Sequence, residues 1–164
     1  MLDLSRILNG EINEIAFEEE YPLKDISDDV TDGRCIAKGS LVNHSGYLEL
    51  TAVLSISYTA VCARCGEKFK SATEIAVSYP VTDRLENADK DQDEYLMIES
   101  GKLDMESICI SSIILNLPTR FLCTEECKGL CSECGKNLNT DACSCGGGKI
   151  DPRMEKLKDY FNKQ

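Results

Sequence analysis

Eight of the ten cysteines in this 164-residue chain fall into four close pairs: Cys62-x2-Cys65, Cys123-x3-Cys127, Cys131-x2-Cys134 and Cys143-x-Cys145. Cys35 and Cys109 stand alone. The opening Met1-Leu-Asp-Leu-Ser-Arg-Ile-Leu carries Asp3 and Arg6 and lacks the apolar run of a signal peptide. No apolar run is long enough to span a bilayer, which takes about 18 residues. A cytoplasmic protein with no membrane contact is expected. In a reducing compartment disulfides do not persist. The cysteines are therefore left for metal, catalysis or burial.

Structural zinc takes four deprotonated ligands at tetrahedral corners, with sulfur at about 2.3 Å. Cys-x2-Cys-Gly supplies two of them from one tight turn, and the glycine accepts the backbone geometry that follows. Cys62-Ala-Arg-Cys65-Gly66 and Cys131-Ser-Glu-Cys134-Gly135 both have this form. Each needs a second pair. Local closure joins Cys131 and Cys134 to Cys143 and Cys145, leaving Cys123 and Cys127 for Cys62 and Cys65. Two structural zinc sites are expected, one of which ties the body of the chain to its tail. A different grouping puts Cys123, Cys127, Cys131 and Cys134 together and leaves Cys62 and Cys65 with Cys143 and Cys145. Tetrahedral sulfur also suits an iron–sulfur cluster, and metal-free thiols are the blandest reading.

Around these pairs the chain reads as sheet. From Leu48 to Ala60 apolar residues hold the even positions, and from Phe69 to Val81 the inward side moves to odd numbers. Two period-two strands joined by the first Cys pair form a long hairpin with Cys62 and Cys65 at its tip. Residues 34–43 make a further short strand, closed by Asn43-His44-Ser45-Gly46 as a turn, and Ile12 to Phe17 is a weaker candidate. Residues 83–93 read as an exposed acidic loop, and Glu94 to Ile98 can add a strand. Asp104 can cap a helix running to about Asn116, with Met105, Ile108, Ser112 and Leu115 on one face and Pro118 ending it. Residues 123–148 hold six Cys and five Gly but little apolar periodicity, so this stretch needs a staple rather than a core. Asp151-Pro152 opens a last helix, with Met154, Leu157, Tyr160 and Phe161 as its stripe. The expected fold is α+β: mainly antiparallel sheet or a partly open barrel, a long hairpin, two helices and a C-terminal zinc-ribbon-like module. The boundary falls between a body at 1–119 and a tail at 120–164 that docks on it.

Charge narrows the function. The body holds 22 acidic and 10 basic residues, the tail 7 and 8, within a net charge of −11. Each zinc held by four thiolates carries −2, so two sites would take the formal charge from −11 to −15. Such a body repels a phosphate backbone. Catalysis has little support. The only histidine, His44, sits in a turn, and a four-thiolate zinc keeps no open position. A redox Cys-x-x-Cys wants a βαβ setting, not a hairpin tip. Cys35 and Cys109 read as small buried hydrophobes.

Cys62-x-Arg-Cys65 after a long alternating strand comes first in a series of ordered motifs. Leu117-Pro118, Cys127-Lys-Gly-Leu-Cys131-x-x-Cys134-Gly-x-Asn-Leu-Asn139, Cys143-x-Cys145 and Asp151-Pro-Arg-x-x-x-Leu157 follow it. Together they resemble the YceD family, bacterial and plastid proteins named for large ribosomal RNA subunit accumulation. The resemblance covers roughly residues 34–161, and Lys-Gly-Leu-Cys is its most specific part. Ser132 stands where the family often has Pro, and Gly66 where it has an apolar residue; neither change removes a ligand. The resemblance implies support of 23S rRNA synthesis or processing. Some members lack the 131–145 ribbon and keep the hairpin pair with a later pair, which implies Cys62, Cys65, Cys123 and Cys127 as one unit.

The sequence therefore points to a non-enzymatic ribosome-biogenesis factor acting through a basic ribosomal protein, with Asp89, Asp91, Asp93 and Glu94 as a partner-binding strip. The alternative is a zinc-ribbon protein that contacts precursor rRNA directly, through Arg120, Lys128, Lys136, Lys149, Arg153, Lys156 and Lys158.

Overall fold

The even-numbered apolar run forms strand β4 (Tyr47–Val61), and Leu48, Leu50, Ala52, Leu54, Ile56, Tyr58 and Ala60 are all buried along it. This is the inner face of a sheet in a computed structural model that describes residues 1–23, 26–83 and 95–145. On either side lie β3 (Val30–His44) and β5 (Lys68–Thr82), both antiparallel to β4 and, like it, 15 residues long. β2 (Glu14–Pro22) pairs antiparallel with β3, and β6 (Leu96–Met97) runs parallel to the end of β5. The order β2-β3-β4-β5-β6 does not close on itself, so the sheet is open rather than a barrel. β6 is only two residues long and meets only Val81 and Thr82, too little to carry the sheet round to β2.

Short elements cover the inner face. β1 (Leu2–Asp3) pairs with β7 (Lys102–Leu103). This brings α1 (Ser5–Leu8) beside α2 (Met105–Asn116), and Leu4, Ile7, Met105, Cys109 and Ile113 join the same buried cluster as the strands. Full burial of a Leu or Ile contributes about 1.5–3 kcal/mol. Leu50, Leu54 and Ile56 are 0–2% exposed, so each contributes close to that full amount. Cys35 and Cys109 lie inside this cluster.

Several expectations shift. β3 begins at Val30, four residues before the expected start, because Val30 and, past a bulge at Thr31, Asp32-Gly33-Arg34 pair with β4 through the backbone in a stretch that shows no apolar alternation. β2 likewise extends to Pro22 through Glu18-Glu19-Glu20, a charged run that conceals the inward Phe17 and Tyr21. Helix α2 starts after Asp104, whose carboxylate accepts from the Ser107 N–H. Its buried side is Met105, Cys109, Ser112 and Ile113, whereas Leu115 is 81% exposed. Ser112 fits inside because its hydroxyl donates to the Ile108 carbonyl and lies 3.0 Å from the Tyr79 hydroxyl on β5. Of the two helices in the described residues, the one-turn α1 has no periodic signal in sequence. The expected helix from Asp151 lies outside the described residues.

The hairpins fix where the chemistry sits. At one end, Ser45 and Gly46 take φ of 59° and 102° between paired His44 and Tyr47, a two-residue loop whose twist suits the strands. At the other end the β4–β5 connection is the Cys62–Cys65 turn. After α2, Leu117-Pro118 leads to Phe121, which is buried edge-on against Tyr58 at 5.6 Å between ring centres. That contact delivers the tail to the tip of the hairpin.

Candidate metal centre

The two Cys-x-x-Cys-Gly turns are built alike. In the first, the Cys62 N–H donates to the Glu67 carbonyl and the Gly66 N–H returns to the Cys62 carbonyl, both at 2.9 Å. In the second, Cys131 N–H donates to Lys136 at 2.8 Å and Gly135 N–H to Cys131 at 2.9 Å. Gly66 and Gly135 take φ of 73° and 71°, the left-handed region that glycine enters without a Cβ clash. Each turn presents two sulfurs on one side.

The eight sulfurs gather in two groups. Cys62, Cys65, Cys123 and Cys127 lie within 4.8 Å of one another, and so do Cys131, Cys134, Cys143 and Cys145. Cys123 and Cys127 thus stand with the hairpin pair rather than with Cys131 and Cys134. A regular tetrahedron of sulfurs about 2.3 Å from its centre has edges of about 3.8 Å. In the hairpin group Cys62 and Cys127 are 3.8 Å apart, Cys65 and Cys123 3.7 Å. In the ribbon group Cys134 and Cys143 are 3.6 Å apart, Cys131 and Cys143 3.4 Å. These distances are far beyond a disulfide bond of about 2.0 Å and fit a four-thiolate metal site. Both groups could hold a metal ion.

Backbone amides prepare the sulfurs for negative charge. Burial works against the Cys62 thiolate, yet N–H groups of Cys123, Cys65 and Arg64 outweigh it and bring its pKa down to about 6. At Cys131 the amides of Cys134 and Glu133 bring it to about 7. Crowding acts the other way at Cys145, where contact with the Cys143 sulfur pushes the thiol up to about 12. The amides thus favour the thiolate at Cys62 and at Cys131, and four thiolates gathered in one group require a cation to neutralise their mutual repulsion.

Around the sulfurs are residues the spacing does not reveal. Arg64, inside the first turn, donates through Nη1 to the carbonyls of Glu125 and Cys127, each at 3.0 Å. The Ala63 N–H donates to the Phe121 carbonyl at 2.8 Å. Gly129 has φ of 73°, and a Cβ there would lie 3.0 Å from the Arg64 carbonyl oxygen. Asn139 Nδ2 donates to Cys127 Sγ at 3.3 Å while its Oδ1 accepts from the Lys128 N–H at 2.8 Å. Arg64, Gly129 and Asn139 lie in the ordered motifs, but their roles arise from segments distant in sequence.

Other candidates fall elsewhere. His44 is exposed at the far turn, 3.6 Å from Glu49. Asp89, Asp91, Asp93 and Glu94 lie outside the described residues, as do Lys149, Arg153, Lys156 and Lys158. Arg120, Lys128 and Lys136 are exposed. No helix among the described residues is long and apolar enough to cross a membrane.

An open, mainly antiparallel sheet whose tail returns to a hairpin tip through two four-cysteine clusters defines a class of small β-rich proteins with candidate structural metal centres. Residues 50–160, more than half of the chain, match the family model described as large ribosomal RNA subunit accumulation protein YceD, and the chain belongs to that family. The family is named as an accumulation factor rather than as a catalyst. An uncharacterized protein of Mycobacterium tuberculosis is 26% identical over 117 residues, 70% of this chain and 56% of the relative. One of Mycobacterium leprae is 26% identical over 104 residues, 61% of this chain and 46% of the relative. The matched span is thus about half the length of these relatives. No solved structure matches the chain.

Proposed function

We propose that the chain is a non-enzymatic ribosome-biogenesis factor that supports 23S rRNA synthesis, processing or accumulation by binding a basic ribosomal protein. Two zinc ions are its structural staples, held by Cys62, Cys65, Cys123 and Cys127 and by Cys131, Cys134, Cys143 and Cys145, the second set forming a zinc-ribbon-like module. The family match supports the rRNA role. The observation that carries the structural, non-catalytic reading is the pair of four-sulfur groups with near-tetrahedral spacing. Four thiolates fill the coordination sphere and leave no position for substrate. The ion's part is to neutralise the thiolates and join the segments that carry them.

Charge supports the choice of partner. A body with 22 acidic and 10 basic residues attracts a lysine- and arginine-rich protein and guides the encounter. Naked rRNA meets repulsion from the same charge within a Debye length of about 8 Å. Elemental analysis should find two zinc ions per chain; iron, one ion, or none with eight free thiols overturns the zinc reading. Affinity capture from lysate should retain a basic ribosomal protein after ribonuclease, less so at high salt. Neutralising Asp89, Asp91, Asp93 and Glu94 together should weaken the capture further. The exposed Arg120, Lys128 and Lys136 favour the second reading, direct contact of the ribbon with precursor rRNA. Tight binding to bare rRNA at physiological salt, with a steep salt slope and no protein retained after ribonuclease, would select it.

A further inference from the structure

The two cysteine groups are not separate modules strung along the tail. Cys127 belongs to one and Cys131 to the other, and only Lys128-Gly129-Leu130 lies between them. The ribbon turn folds back on this linker. Cys131 N–H donates to the Lys136 carbonyl at 2.8 Å, the Leu138 N–H donates to the Gly129 carbonyl at 2.9 Å, and Leu130 bridges Asn137. The fold-back ends at Asn139. There one amide group does two things: Oδ1 accepts from Lys128 N–H at 2.8 Å, and Nδ2 reaches Cys127 Sγ at 3.3 Å. Asn137 fixes the rotamer, since its Oδ1 accepts from both the Asn139 N–H at 3.0 Å and Nδ2 at 2.8 Å. A donor on a ligating sulfur withdraws charge from it and orients it toward the metal. Asn139 can supply that donor only while the ribbon is folded, and the ribbon has few apolar residues to hold it folded without its ion.

We propose that Asn139 is a positioning residue that couples the two centres, so that an ion in the ribbon group tightens the ion in the hairpin group. This rests on the metal-binding reading above. Coupling is reciprocal: the hairpin ion, by fixing Cys127 against Asn139, steadies the ribbon in turn. Metal loss is then ordered. The ribbon ion, with Cys134 exposed, leaves first, and the hairpin ion, with Cys62 2% and Cys127 4% exposed, follows faster than it would have left the intact protein.

The test is exchange of the full-length, zinc-loaded chain with excess isotopically labelled zinc, which keeps the ribbon group filled while the hairpin ion turns over, followed by the label the protein takes up. The unaltered protein should give a fast and a slow phase, one ion each. In Cys143→Ser only the hairpin ion remains, and it should leave about tenfold faster than the slow phase. Asn139→Ala should accelerate the slow phase by a similar factor, and the double variant no more than Cys143→Ser alone. The same proteins loaded with cobalt supply a readout that loosened folding does not imitate. Loss of the N–H donor raises the sulfur electrons in energy, so the hairpin group's sulfur-to-cobalt charge-transfer band should move to lower energy in Asn139→Ala. An unchanged slow phase, multiplicative rates in the double variant, or an unmoved band overturns the coupling. If Asn139→Ala also drops the ribbon ion, the band position decides. An unaltered protein that binds no metal defeats the metal reading itself, whereas two ions that leave independently defeat only this inference.

Discussion

The hairpin and ribbon groups share one turn geometry and differ in everything around it. The first lies in a small buried cluster with Phe69 and Leu122 packed against it, and its two pairs are separated by the 57 residues between Cys65 and Cys123. The second spans only Cys131 to Cys145, and Cys134 is exposed. Identical backbone hydrogen bonds serve two purposes. At the hairpin a metal ion would lock together segments that already touch through Phe121, Tyr58 and Arg64. At the ribbon it would stand in for a core that the local sequence does not provide. The difference lies in what remains when the ion is removed, which is open to measurement.

Cys62→Ser gives the largest expected effect. It removes one ligand from the buried group and leaves three thiols crowded with no cation to neutralise them. The expected cost is on the order of 3–5 kcal/mol, with loss of one ion per chain and undocking of the tail. Thermal unfolding together with metal stoichiometry checks this. If Cys62→Ser and Cys143→Ser release the same ion, the grouping of the sulfurs is wrong and the comparison breaks.

Gly129→Ala comes next. It forces a side chain into the left-handed region and against the Arg64 carbonyl oxygen, 3.0 Å from its Cβ. We expect about 1–3 kcal/mol of lost stability. Both ions should remain bound at equilibrium, because no sulfur is removed. Limited proteolysis should show earlier cleavage between residues 120 and 131. A variant as stable as the parent would mean that the linker does not bear on the hairpin turn.

Cys143→Ser should abolish binding at the ribbon while the sheet stays folded. Its effect on the unfolding of the body should not exceed the coupling to the hairpin ion, a tenfold change or about 1.4 kcal/mol. Circular dichroism of the sheet and metal stoichiometry together measure this. A collapse as large as that of Cys62→Ser would erase the distinction between the two groups.

How far the sequence carries these differences depends on distance along the chain. The cysteine pairs are legible because ligand spacing inside a turn is local, and β4 is legible because one face is buried throughout. The first residues of β3 and the end of β2 are not, since Asp32 to Arg34 and Glu18 to Glu20 join the sheet through backbone bonds that leave no apolar trace. Leu115 looks inward on periodicity and is exposed, because Cys109, Ser112 and Ile113 form the contact side instead. Arg64 and Asn139 lie in recognisable motifs, yet their roles depend on atoms 63 and 12 residues away. Spacing reveals which residues can bind an ion and says little about which residues hold the ligands in place.

The smallest expected effect belongs to His44→Ala, which sharpens the comparison by testing whether either group borrows a nitrogen ligand. His44 is the only histidine in the chain. It pairs with Tyr47 at the start of β4, whereas Cys62 follows the other end of that strand. Fifteen residues at roughly 3.3 Å each place the two ends on the order of 50 Å apart. Among the described residues its ionic neighbour is Glu49 at 3.6 Å, with the imidazole 56% exposed, and an exposed pair of that kind contributes little. Removing it should change stability by less than about 0.5 kcal/mol. Metal stoichiometry and the cobalt spectrum should not move at either group. A lost ion or a shifted band in His44→Ala would mean that a nitrogen donor reaches one of the sites, from this chain's far end or from a second copy. The all-sulfur description of both groups would then fail, and with it the closed coordination on which the structural role rests.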